Sequence, residues 1–181
     1  MMKKEKLNLS IHLLPLLAAI GVLITACNSD DENEGTIIKP IVVDGATTEF
    51  LNAELPVCSY IHYSYGFFSS YFSDTCYVIN SIEELKSKFD ETLYKLPELN
   101  IDFAHNSLIV GQHKIKEQFV LPVDLDSQAI IDKDDVYTLK LYYNMQSDCV
   151  DLGIEKLAYF WGVYPKLSNK KVVVNFNWNK K

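Results

Sequence analysis

V-V-V-N-F-N-W, residues 172–178, decides the fold class. Val172, Val174, Phe176 and Trp178 occupy alternate positions, with Asn175 and Asn177 between them. A side-chain period of two belongs to a strand with one face buried and one face wet, not to a helix. V-Y-T-L-K-L-Y-Y, residues 136–143, repeats the pattern and puts Tyr137, Leu139, Leu141 and Tyr143 on one face. A-Y-F-W-G-V-Y, residues 158–164, is apolar throughout and fits a strand covered on both faces. Only a short loop around Ser168 and Asn169 separates it from 172–178, so the last two strands are expected to be antiparallel neighbours.

Further out, S-L-I-V-G-Q-H (107–113) reads as a compact buried strand, and Q-F-V-L-P-V (118–123) as a strand interrupted by Pro122. Q-A-I-I-D (128–132) reads as a strand between two solvated acidic loops, D-L-D at 124–126 and D-K-D-D at 132–135. C-Y-V-I-N (76–80) is a short strand. Ser81 and Glu84 then have capping-box spacing, and Ile82, Leu85 and Phe89 follow at helical spacing, so a helix starts at 81 and ends before Pro97. I-I-K-P-I-V-V (37–43) suits an edge strand because of Pro40. Residues 44–75 show no regular pattern. The expected fold is α+β, a mostly antiparallel sheet with one main helix packed on it as a two-layer sandwich. No internal repeat and no second domain is visible.

The N-terminus has a different composition. Lys3, Lys4 and Lys6 precede an apolar run from Ile11 to Ile24, broken by His12 and Pro15. That run falls short of the roughly 20 apolar residues a bilayer-spanning helix needs, and has the layout of a secretion signal. Its end, I-T-A-C at 24–27, resembles the bacterial lipobox, an aliphatic residue and two small ones before a cysteine. The resemblance implies a diacylglyceryl thioether on Cys27, cleavage before it, and acylation of the new amino group, as with palmitate. Two or more acyl chains anchor a protein stably in a membrane. N-S-D-D-E-N-E at 28–34 resembles the export tag of surface lipoproteins of the Bacteroidetes, which implies an outer-membrane location facing the cell exterior. A solvated tether explains the same composition. The expected organisation is a signal peptide over 1–26, an acidic tether over 27–36 and one domain over 37–181.

Residues 1–26 carry a net charge of +2, so the remaining 155 of the 181 residues carry −9, where the whole chain carries −7. The chain has no arginine. An acidic surface without arginine argues against nucleic-acid binding, which rests on phosphate contacts. Neither G-x-x-x-x-G-K-[ST] nor G-x-G-x-x-G occurs, and with seven glycines in all a nucleotide-cradling loop is not expected. No cofactor is expected.

Cys58, Cys76 and Cys149 allow one disulfide in any of three pairings, or none. No C-x-x-C supports a redox motif or a zinc site. S-Y-I-H-Y-S-Y-G-F-F-S-S-Y-F, residues 59–72, carries a dense aromatic run. It has two readings: packing across the sheet, or a binding surface in which Tyr63, Tyr65, Phe67, Phe68 and Tyr71 contact a glycan or protein. Cys58 and His62 form the least implausible nucleophile pair for a small hydrolase. His62, His105 and His113 are scattered, so no metal site is expected. The acidic loops lack the glycine and spacing of a calcium loop, and paired glycosidase carboxylates lack a framed cleft.

Y-V-I-N-S-I-E-E-L, I-D-F-A-H-N-S-L-I-V-G and Y-P-K-L-S-N-K-K-V-V-V-N-F together resemble a group of Bacteroidetes lipoproteins of unassigned function. In that group a strand–helix unit precedes an internal strand and a terminal hairpin. Residues 76–178 are also similar to the C-terminal domain of protease-complex accessory lipoproteins. The matching motifs are apolar patterns and bring no catalytic residue. The expected function is a non-enzymatic surface lipoprotein that binds a protein partner or a glycan. The alternatives are an accessory or inhibitory subunit of an envelope protease, and a small hydrolase.

Overall fold

The computed structural model describes residues 35–58, 67–68, 74–89, 99–115, 121–146 and 156–180. Within them are seven strands: β1 (Thr36–Ile38), β2 (Thr75–Ile79), β3 (Asn106–Ile115), β4 (Leu121–Lys133), β5 (Val136–Gln146), β6 (Lys156–Pro165) and β7 (Lys171–Lys180). Two helices accompany them, α1 (Gly45–Glu54) and α2 (Ile82–Lys88). One sheet has four strands in the order β1-β4-β5-β7, and the other has three in the order β2-β3-β6. All pairings are antiparallel except β5 with β7.

The chain is therefore α+β and mostly antiparallel, but the strands split between two sheets. The reason lies in β3 and β6, which are buried on both faces. Leu108 and Val110 of β3, with Leu157, Tyr159 and Val163 of β6, pack against Leu51 of α1, Leu55 at its C-cap and Leu85 of α2. The intervening Ile109, Ala158, Phe160 and Tyr164 pack against Ile130, Leu139, Leu141 and Tyr143 of the four-stranded sheet. Alternate side chains thus feed two cores, giving three layers: helices, small sheet, large sheet. Val174, Phe176 and Trp178 join the inter-sheet core on the face that the alternation assigns them.

The antiparallel hairpin expected from 158–164 and 172–178 does not form. β6 pairs with β3, and β7 runs parallel to β5. The link between them crosses from one sheet to the other. Leu167 is buried in the inter-sheet core, its N–H donates to Ser107 Oγ at 2.9 Å, and the Ser168 N–H donates to Tyr137 Oη at 3.1 Å. These bonds hold the link as a corner between layers, where a tight turn would have folded the chain back in one sheet.

The edge strand expected over 37–43 is also divided. Ile38 pairs with Ile130 in the large sheet, whereas the Ile41 N–H donates to Val163 O of β6 at 2.7 Å. Pro40 lies between the two contacts. β1 begins at Thr36, opposite Asp132, so the sheet reaches into the last residue of the expected tether. Gly35, at φ +68°, lies against Asp132 O where a Cβ would not fit.

α1 occupies part of the stretch that shows no pattern in sequence. The Asp44 side chain accepts the Thr47 N–H at 2.8 Å, which caps the helix and holds the carboxyl below its usual range. The helix expected after Ser81 forms, with Ser81 Oγ accepting the Glu84 N–H at 3.1 Å. Glu84 reaches back one residue further than the usual box, to the Asn80 N–H.

β4 is one long strand where two segments and a loop were expected. Its ladder with β5 slips between Pro122 and Asp124 and again between Leu125 and Ser127. Two bulges absorb Pro122 and the D-L-D carboxylates without ending the strand. Of D-K-D-D, Asp132 and Lys133 remain in the strand, and Asp134, at φ +54°, makes the turn into β5.

The β3–β6 register rests on Gly111, which faces Phe160 directly. The Phe160 ring lies over Gly111, so any Cβ there would meet ring carbons. Gly111→Ala is expected to cost about 1–3 kcal/mol through overpacking. Urea unfolding should show a lower midpoint at an unchanged slope. An unaltered midpoint would mean that the ring moves aside freely.

Candidate binding groove

Among the described residues two clefts lie beside the sheets. One, with a volume of about 380 Å³, lies between β6 and β4 beside α1. Its walls include Tyr159, Trp161 and Gly162 of β6, Asn52 of α1, and Asp124 and Gln128 of β4. Gly162 is needed for the approach of β4, because a Cβ there would lie 2.9 Å from Gln128 Oε1 and 2.9 Å from the Tyr164 ring. Gln128 uses both ends of its amide: Nε2 donates to Trp161 O at 2.8 Å, and Oε1 accepts the Tyr164 hydroxyl at 2.8 Å. The Trp161 indole N–H donates to Asn52 Oδ1 at 3.0 Å, which fixes the ring against α1.

The β4 bulges bring Asp124, a lining residue, together with Asp126. Both accept from Nδ2 of Asn144, a side chain buried at 4 % exposure. Among the described lining residues Asp124 is the only carboxylate, and none is a cysteine, histidine, serine or threonine. The described lining is thus equipped to hold a ligand through an aromatic side chain, amides and a carboxylate.

The smaller cleft, about 240 Å³, lies between β2 and β7 and holds Asp74, Cys76 and Phe176. His113 stacks on Phe176 with ring centroids 3.9 Å apart. His113 Nδ1 stands 3.1 Å from Asp74 Oδ1 but without hydrogen-bond geometry, and that oxygen accepts the Lys114 N–H at 2.9 Å. Burial pushes the Cys76 thiol up to about 12, which leaves it protonated and a poor nucleophile. Among the described residues no group of three His, Cys, Asp or Glu side chains could hold a metal ion.

The sequence candidates fall as follows. Phe67 and Phe68 are 2 % and 4 % exposed, so they cannot serve as surface contacts, which corrects that expectation. Phe67 meets Phe89 edge-on at 5.3 Å, and Phe68 stacks between Tyr77 and Tyr159, filling the core under the helices. Tyr63, Tyr65, Tyr71, His62, Cys149 and the lipidation residue Cys27 lie outside the described residues. Cys58 packs against the inter-sheet core near Tyr143, whose phenol is pushed up by burial and by the neighbouring Cys58. His105 Nδ1 lies 2.7 Å from Asp102 Oδ2 on an exposed turn, and neither residue is among the described lining of the two clefts. The groove residues Asn52, Asp124, Gln128 and Trp161 were not singled out as a set, because they come from three separate elements. The available signal was Gly162, an isolated glycine inside an aromatic strand, which marks a close approach.

Comparison with family models, with curated proteins and with solved structures gives no match.

The raised Cys76 value carries a sign. The folded state favours the protonated thiol, so this contribution to stability is complete below the ordinary thiol value of about 8.5 and is lost as pH climbs toward 12. Tyr143 and Tyr164, also pushed up by burial, act in the same direction at higher pH. Urea midpoints should fall between about pH 9 and pH 11, and less steeply in Cys76→Ala. At pH 8 iodoacetamide should leave Cys76 unmodified until denaturant is added. Rapid labelling of Cys76 in the folded protein would contradict the assignment.

Proposed function

We propose that this protein is a non-enzymatic binding module, held at the outer-membrane surface by lipid on Cys27, with the β6–β4 groove as its ligand seat. The observation that carries the reading is the groove itself: an open, preformed cavity at the small end of the ligand-pocket range of roughly 300–1,000 Å³. Its polar groups are positioned by hydrogen bonds that exist before any ligand arrives. Preorganisation of this kind lowers the ordering cost of binding. The lipobox at 24–27 and the acidic segment at 28–34 support the anchor and the tether. The ligand-contact role passes from Phe67 and Phe68, which are core residues, to Trp161 and its neighbours.

The test joins the two halves of the reading. Cys27→Ser should shift the protein out of the membrane fraction, and external protease should digest the native lipoprotein on intact cells. In-cell crosslinking should attach a defined species to the native protein and lose it in Trp161→Ala. Circular dichroism is expected to show that the variant keeps its fold. An identical crosslinking pattern in the variant would remove the groove from the proposal.

A further inference from the structure

We infer that the groove takes a neutral carbohydrate; this rests on the groove's being the ligand seat. A pyranose ring has one face of C–H groups and a rim of hydroxyls. The lining offers the matching pair of surfaces, the partly exposed Trp161 backed by the buried Tyr159, and the polar groups of Asn52 and Asp124. The hydrogen bonds already formed leave usable valence. Asn52 spends its Oδ1 on the indole, which leaves its two Nδ2 protons to donate to a sugar oxygen. Asp124 accepts from Asn144 through Oδ1, which leaves Oδ2 to accept from a hydroxyl.

Charge narrows the class. The lining residue Asp124 shares the Asn144 amide nitrogen with Asp126, no lysine is among the described lining residues, and the chain has no arginine. A uronic acid, a sulfated sugar or a phosphate would meet the Asp124 carboxylate with no cation among the described lining residues to pair with. A peptide strand is disfavoured on separate grounds. Adding a strand to an edge needs free backbone groups. The outward carbonyls of Trp161 and Val163 already accept from Gln128 and from the Ile41 N–H.

The test uses the full lipoprotein in detergent micelles. Neutral gluco-, galacto- and manno-oligosaccharides are the probes, and uronic-acid oligosaccharides the anionic controls. The expected result is saturable binding of at least one neutral set and none of the anionic controls. Trp161→Ala and Asn52→Ala should each weaken that binding tenfold or more, with thermal midpoints close to the parent's. Asp124→Asn, which keeps the shape and removes the charge, should weaken neutral binding less than Trp161→Ala. Preference for the anionic controls, or neutral binding untouched by Trp161→Ala and Asn52→Ala, would overturn the inference. Failure of every oligosaccharide, together with an in-cell crosslink that depends on Trp161, would overturn the carbohydrate assignment and leave the binding-module reading standing. Loss of both would remove both.

Discussion

The β3–β6 pair carries the rest of the structure, because it is the one layer that both cores share. Ten residue pairs join the two strands, from Asn106↔Pro165 to Ile115↔Lys156. Every side chain on them points either to the helices or to the large sheet, so a slip of one residue would exchange the two sets. The Phe160 ring over Gly111 resists such a slip, since no other residue of β3 leaves room for the ring. Ser107 adds a second constraint, donating to Asn80 Oδ1 at 2.6 Å while accepting the Leu167 N–H. The helix side, the sheet side and the corner after β6 are thereby tied to one strand pair.

The groove follows from the same arrangement. β6 ends the small sheet and lies over β4, yet the two do not form a ladder. What joins them is side-chain bonding from Gln128 to Trp161 O and to the Tyr164 hydroxyl, while the Ile41 N–H ties β6 to the segment after β1. Such spaced contacts hold two layers apart at their rim and leave a cavity between them. A second cleft lies between β2 and β7, and Phe176 of its lining stacks with His113 and Trp178.

Lysine takes over bonding that arginine often does elsewhere. Lys166 Nζ donates to Asn80 O at 2.7 Å and to Phe103 O at 2.6 Å, pinning the loop before β3 to the corner after β6. Lys170 Nζ bonds Asp132 Oδ1 at 2.6 Å and Asp134 O at 2.9 Å, holding the β4–β5 turn against the start of β7. The bond to Asp132 raises the Lys170 value. A point-like ammonium with three donors suits these carbonyl-rich corners, whereas a planar fork suits paired acceptors.

Strand identity was legible in the residues wherever one face met water. Tyr137 to Tyr143 and Val172 to Trp178 alternate, and the alternation named their buried faces correctly. The doubly buried β6 was legible as an unbroken apolar run, and the Ser81 cap announced α2. Partnership was not legible, because β6 and β7 look like a hairpin until Leu167 and Ser168 are seen bonded across the layers. α1 was hidden because its stability comes from Leu51 and Leu55 packing under Tyr159 and its neighbours, not from its own periodicity. Phe67 and Phe68 could be core or surface by composition alone, and burial decided it. Sequence by itself determined the α+β class, the faces of the alternating strands and the acidic, arginine-free charge. Only the tertiary structure decided the two-sheet split and the groove, since both depend on side chains such as Gln128 and Trp161 that meet across 33 residues of chain.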